Sequence, residues 1–192
     1  MKRIRIIALL LALCLPAAAC ATVVGDIVPI GPAASTAVET TEPSATEKPA
    51  ENEAGMPYVP ALFEGTALEL AQYEGKAVWV NFFTSWCGYC MEEMPDLKKI
   101  AAQYEDELVV VLVHVWWDED DHATAQVVSQ YGLEGFPVVE DSDEAIASIV
   151  QLSGVPLSLF IQKDGYLLGT ANALSYEQMA QVMGMLGLEA SK

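Results

Sequence analysis

Positive charge is what this sequence has least of. Its 192 residues hold nine Lys and Arg against 27 Asp and Glu, a formal charge of −18. Three of the nine (Lys2, Arg3, Arg5) fall in the first five positions, which leaves six lysines against 27 acids, a balance of −21. A polyanion of this kind repels phosphate, so its surface charge excludes coating of nucleic acid or of an anionic bilayer. Cysteine is also scarce: four residues are too few to staple a scaffold of this length. There are two histidines, His114 and His122, and no internal repeat. What is abundant is apolar sequence, 53% of the chain, too much for a wholly disordered protein. The length suits one ordinary domain with appendages.

The amino terminus reads as an address. Lys2, Arg3 and Arg5 precede Ile6 to Leu15, apolar apart from Cys14, and Pro16-Ala17-Ala18-Ala19-Cys20 follows. A charged start, a short apolar run and a small-residue site describe an export signal, residues 1–19. The small residues before Cys20 resemble a bacterial lipobox, with Ala17 where that motif has leucine; the resemblance implies lipidation at Cys20. Plain cleavage after Ala19 and an uncleaved anchor are the competing readings, since Ile6 to Val24 approaches the ~20 apolar residues that span a bilayer. Cleavage before Cys20 removes Cys14 and leaves Cys20, Cys87 and Cys90, an odd thiol unless the Cys20 sulfur is occupied. From about Gly25 to Pro57 the chain is rich in Pro, Thr, Ala, Glu and Ser without periodicity, so residues 20–57 are expected to be the attachment site and a disordered tether.

Regular patterning begins at Tyr58. Ala67 to Leu70 predicts a short edge strand, and Ala77 to Phe83 (AVWVNFF) a buried one. Residues 88–104 carry Met91, Met94, Leu97, Ile100, Ala101 and Tyr104 at helical spacing. Leu108 to Val115 is a second buried strand. Asp118 to Asp121 can cap a helix running to about Tyr131, with Gly132 at its end. A strand over Phe136 to Val139 and a helix over Asp143 to Leu152 follow. Leu157 to Gln162 and Tyr166 to Thr170 flank a Lys163-Asp164-Gly165 turn, a hairpin signal. Ser175 and Gln178 form a capping-box pair, and Gly187 closes the last helix. Strands alternating with helices before a closing hairpin predict a layered α/β domain over 58–192.

The chemistry is carried by Trp86-Cys87-Gly88-Tyr89-Cys90, between a buried strand and a helix start. Backbone N–H groups and the helix dipole favour an anion there, which lowers a thiol's pKa from about 8.5. The thiolate is the attacking form in disulfide exchange. Cys87 is therefore the candidate nucleophile and Cys90, one turn on, the resolving thiol. Half a zinc site, a static disulfide and haem attachment are the alternatives. The first lacks a second pair, the second sits oddly at a strand-to-helix junction, and the third needs His where Met91 stands.

The segment VNFFTSWCGYCMEEMPDL, followed by Gly154-Val155-Pro156, resembles the thioredoxin superfamily, and more narrowly the membrane-tethered TlpA/ResA-like thiol-disulfide oxidoreductases, over roughly residues 60–190. The resemblance implies a thioredoxin-like fold, a central mixed sheet flanked by helices. It further implies a TlpA-type helix-strand insertion between Val115 and Val155. It implies a redox-active Cys87–Cys90 disulfide with no other cofactor and no metal. Its implied partners are protein disulfides in exported clients such as apocytochrome c, and a membrane-embedded thiol donor. The domain is then a monomer on the outer face of the bacterial membrane, held there by lipid. Direct electron donation to an exported methionine sulfoxide reductase or peroxidase is a rival of the same fold, and a copper-binding chaperone a rival of another class.

Further residues follow from that likeness. Pro156 stands where the superfamily has a cis-proline facing the disulfide, which exposes the Val155 backbone to a substrate strand; Leu157 departs from the threonine common after it. Trp86 is expected to shield the disulfide or to lie in the core. Pro95 matches a helix-kinking proline. At about 100° per residue, Glu93 lies 60° around the helix from Cys90 and Glu92 160° away. Glu93 thus becomes the candidate proton acceptor for Cys90, set against two acids that merely satisfy a helix N-terminus. Asn81 replaces the buried acid of thioredoxin itself. Asp118 to Asp121 with His122 is expected to be a solvated helix start, His114 a packed residue, and Trp116 and Trp117 core or partner contacts.

Overall fold

A computed structural model describes residues 50–191. The export signal, Cys14, Cys20 and the tether up to residue 49 lie outside the described residues. Five strands form one sheet: β1 (Ala77–Phe83), β2 (Leu108–Val115), β3 (Val138–Asp141), β4 (Leu157–Ile161) and β5 (Leu167–Ala171). Their spatial order is β3-β2-β1-β4-β5. The pairs β1–β2 and β2–β3 are parallel, while β1–β4 and β4–β5 are antiparallel. Helices α1 (Val59–Leu62), α2 (Gly88–Gln103), α3 (Asp121–Tyr131), α4 (Ala145–Ile149) and α5 (Tyr176–Met185) complete a thioredoxin-like fold.

The central strand is buried along its whole length, so its period-2 alternation supplies two cores rather than one. Ala77, Trp79 and Phe83 join Met94, Leu97 and Ile100 of α2 and Met179 and Met183 of α5 on one face. Val78, Val80 and Phe82 join Phe63, Leu68, Leu70 and Ile146 on the other. Helix α2 buries Cys90, Glu93, Met94, Leu97 and Ile100, a three-and-four spacing that faces the sheet. Ser175 caps α5 through a reciprocal box with Gln178. Gly165 in the β4–β5 turn has φ +89°, and a Cβ there would meet the Tyr58 ring at 2.4 Å. Only glycine suits that turn.

Several elements differ from the sequence pattern. The strand expected at Ala67 to Leu70 is absent. Leu68 and Leu70 are buried, but into the sheet face, and a 3₁₀ turn begins at Leu70. The Thr66 hydroxyl accepts from the Leu68 N–H and donates to the Phe63 carbonyl, which turns the chain before it can pair. Pairing to the sheet falls instead at Tyr58, opposite Tyr166. Residues 50–57, assigned above to the tether, form a turn: the Asn52 side chain accepts from Ala54 and Met56, and Glu51 bridges Pro57. Strand β3 starts two residues later than expected. Helix α4 covers only Ala145–Ile149: buried Asp141 receives the Ile146 and Ala147 N–H groups at its start, and Gln151, at φ 51°, leaves the helical region beyond its end.

If residues 59–70 are an integral layer of the core, Phe63→Ala should cost about 3–5 kcal/mol, as truncation of a fully buried phenylalanine does. An unfolding free energy from urea titration within 1 kcal/mol of wild type would refute that packing.

Candidate redox site

Cys87 and Cys90 are joined in a disulfide with their Cα atoms 5.2 Å apart. Cys87 is the N-cap of α2, and the Cys90 N–H donates to its sulfur at 3.1 Å. A sulfur in the N-cap position takes the place of the oxygen that ordinarily satisfies a free helix N–H. The Cys87 N–H donates back to the Thr84 carbonyl, which closes the turn. Cys87 is 6% exposed and Cys90 0%, so of the pair only Cys87 keeps any exposure. Gly88 and Tyr89 beside it are exposed.

The Val155–Pro156 bond is cis. Continuing the β1–β4 register, in which Phe82 faces Leu157, sets Pro156 beside Phe83 at the end of β1 that leads to Cys87. The Pro156 carbonyl accepts from the Asn172 side chain at 3.2 Å, and Val155 borders the same core as the two cysteines. Trp86 is 60% exposed, which excludes a core role, and its indole N–H donates to the Trp117 carbonyl. Pro95 lies inside α2 on its exposed side.

Glu93 faces inward at 4% exposure, whereas Glu92 is exposed. One Glu93 oxygen accepts from the Asn81 amide at 2.8 Å and the other from the Leu174 N–H at 3.2 Å. Asn81 also donates to the Ser158 hydroxyl, which accepts from the Trp79 indole as well. Burial pushes the Glu93 carboxyl above its usual range; the two hydrogen bonds offset this only in part.

A second polar group was not legible as such. His114 is fully buried, with Nε2 2.9 Å from Glu119 Oε2 and Nδ1 2.9 Å from Glu140 Oε2. The Thr124 hydroxyl lies 2.6 Å from Nδ1 and donates to Glu140, which also accepts from the Trp116 indole. Glu119 accepts from the Ser85 N–H at 2.8 Å and from the Ser85 hydroxyl. Burial pushes the Glu119 carboxyl up, but the bonds from Ser85 and His114 outweigh it and hold the group below its usual range. The expected solvated acidic run is thus corrected at one position. Asp118, Asp120 and Asp121 are exposed, while the Glu119 side chain is 7% exposed. Trp116 and Trp117 are half-buried. Ser85, Glu119 and Glu140 were missed because their meeting depends on strand register; the alternation of β2, which puts His114 on the α2 side, was the one available signal.

A raised carboxyl pKa means that the folded chain keeps a proton to higher pH than the unfolded one. Stability therefore falls as pH rises from the ordinary glutamate value of about 4.3 through the raised value. Glu93→Gln cannot ionise, so its Tm should gain on wild type as pH climbs through that window and level off above it. A Tm difference independent of pH between 4 and 9 would contradict the assignment.

Comparison with known proteins agrees with this architecture. The chain is 35% identical over 108 residues to the thiol-disulfide oxidoreductase ResA of Bacillus thuringiensis (strain Al Hakam), covering 56% of this chain and 61% of that one. It thus spans about three fifths of that relative's length. A structure of MTB dsbF superposes with a TM-score of 0.60 at 20% identity, over 67% of this chain and 98% of that one, a likeness of fold. The exposed lipoprotein thioredoxin Etrx1 of Streptococcus pneumoniae gives a TM-score of 0.51 at 26% identity, over 60% and 89%. The AhpC/TSA family model matches residues 56–168, more than half of the sequence and the whole span from Met56 through the cysteine pair to β5, and the chain belongs to that family.

Proposed function

We propose that this chain is an extracytoplasmic thiol-disulfide oxidoreductase that reduces disulfides in exported proteins. The observation that carries the reading is the disulfide at the start of α2, in which Cys87 keeps slight exposure and Cys90 is fully buried. The names of its ResA relatives support the same reaction. In the dithiol form, the Cys87 thiolate attacks one sulfur of a client disulfide. A Cys87–client bond forms, the client bond breaks, and the departing sulfur takes a proton. Cys90 then gives its proton to Glu93, one helical turn away, and attacks the Cys87 sulfur. The Cys87–Cys90 bond forms and the second client sulfur leaves, taking up the proton that Glu93 releases, two electrons having passed to the client. A thiol donor, proposed to be embedded in the membrane, returns those electrons. Val155 and Pro156 offer the backbone edge against which a client strand lies, and Trp86 borders it. No further cofactor takes part.

The attachment proposed is a lipid on the Cys20 sulfur, supported by the small-residue run before it and by the lipoprotein named among its structural neighbours. No helix among the described residues is long and apolar enough to cross a membrane.

Wild-type protein with a dithiol donor should reduce insulin disulfides, and Cys87→Ser should lose that turnover; equal rates would refute the mechanism. Cys90→Ser should accumulate mixed disulfides with clients on non-reducing gels, and the trapped partner separates a maturing cytochrome from a reductase or peroxidase. Cys20→Ala should move the protein from the membrane fraction to the soluble one; a protein still sedimenting with membranes would count against lipidation.

A further inference from the structure

The turn before Cys87 is gripped from outside its own helix and strand. Ser85 donates both its N–H and its hydroxyl to Glu119, and the next residue, Trp86, donates its indole N–H to Trp117. Cys87 then donates to Thr84. Donors from three successive residues are thus spoken for, two of them by the loop that follows β2. That loop is braced in turn. Asp118 adopts φ 62°, a left-handed backbone that L side chains seldom take. It leads directly into Glu119, whose carboxylate is buried against His114 of β2. His114 is fixed on its other side by Glu140 of β3 and Thr124 of α3, and Glu140 is held by Trp116. Burying a carboxylate and an imidazole is costly unless they are paired, and Glu119 and His114 pair with each other while half-buried Glu140 holds the imidazole's other side.

We infer that Glu119 is a positioning residue for the exchange reaction. Braced by His114, it holds Ser85 so that the Cys87 sulfur stays aimed at the Cys90 N–H when the disulfide opens. The inference rests on the thiol-disulfide reading above and deepens it. The insertion between β2 and β4 becomes a support for the redox turn. The groups that face this turn are Glu119 directly and His114, Glu140 and Thr124 behind it; Glu93 on α2 is common to all the variants below.

The test is the pH profile of Cys87 alkylation in the reduced protein, with insulin-reduction rate and Tm measured beside it. Loosening the turn withdraws the N–H that stabilises the thiolate, so Glu119→Ala should raise the alkylation midpoint by about half a pH unit or more. Neutral-pH reduction should fall about tenfold, the scale set by small misplacements of reacting groups. Glu119→Gln keeps an acceptor oxygen for Ser85 and should restore most of both. Ser85→Ala, which changes no charge, should shift the midpoint the same way by less. A Tm loss with an unmoved midpoint would make Glu119 merely structural and overturn the inference. Equal downward shifts in Glu119→Ala and Glu119→Gln would also overturn it, because they report direct repulsion of the thiolate by the carboxylate. If Glu119→Ala does not fold, an unmoved midpoint in Ser85→Ala is decisive against it. Failure of the wild type itself to reduce insulin would count against the exchange reading, whereas an active wild type with unaffected variants counts against this inference alone.

Discussion

The hydrogen bond from the Cys90 amide to the Cys87 sulfur ties the architecture to its chemistry. It exists because a fully buried strand ends at Phe83, a four-residue turn follows, and α2 begins with sulfur in the capping position. The first turn of a helix offers N–H groups that nothing inside the helix can satisfy. Giving one of them to a sulfur makes the thiolate the better-solvated form without exposing it widely. The apolar stripe of Met94, Leu97 and Ile100 then fixes α2 on the sheet, so the donor cannot drift from its acceptor.

Two rows of polar residues cross the face of the sheet that lies under the disulfide. Strand register makes them. Asn81 faces Ser158 across β1 and β4, and His114 faces Glu140 across β2 and β3, with Phe83 beside His114. The first row ends on Glu93, three residues after Cys90, and the second on Glu119, bound to Ser85 two residues before Cys87; the two carboxylates have opposite tendencies. One is pushed towards its neutral form and the other is held as an anion. A carboxylate whose affinity for a proton is raised can take one up and release it, while one stabilised as an anion among donors serves as a fixed anchor. The same residue type takes both parts because the partners differ: an amide and one backbone N–H for Glu93, and a serine's two donors plus an imidazole for Glu119.

Much of this was legible in the chain. Strands β1 and β2 show as apolar runs interrupted only by Asn81 and His114, α2 as a three-and-four stripe, and α5 by its capping box, because each signal is local. The hydrophobic alternation at Leu68 and Leu70 misled, since it records burial and not pairing, and a hydroxyl turn at Thr66 removed the strand. Asp141 gives no local sign of its bonds to the first turn of α4, because it ends strand β3 four residues before the helix. Glu119 looked like one acid in a solvated run, and nothing within four residues reveals that a histidine five positions earlier faces it. Such partners are set by the register of three strands, which no window along the sequence contains.

The hook of residues 50–59 has a directional meaning. It lies against Gly165 and Tyr166, beyond the end of β4 that pairs with Val78 at the start of β1, whereas the cysteines follow the other end of β1. A seven-residue strand extends about 20 Å. The preceding chain therefore joins the domain at one pole and the reactive sulfur sits at the other. Anything that reaches Cys87 therefore approaches the end of the sheet opposite this hook.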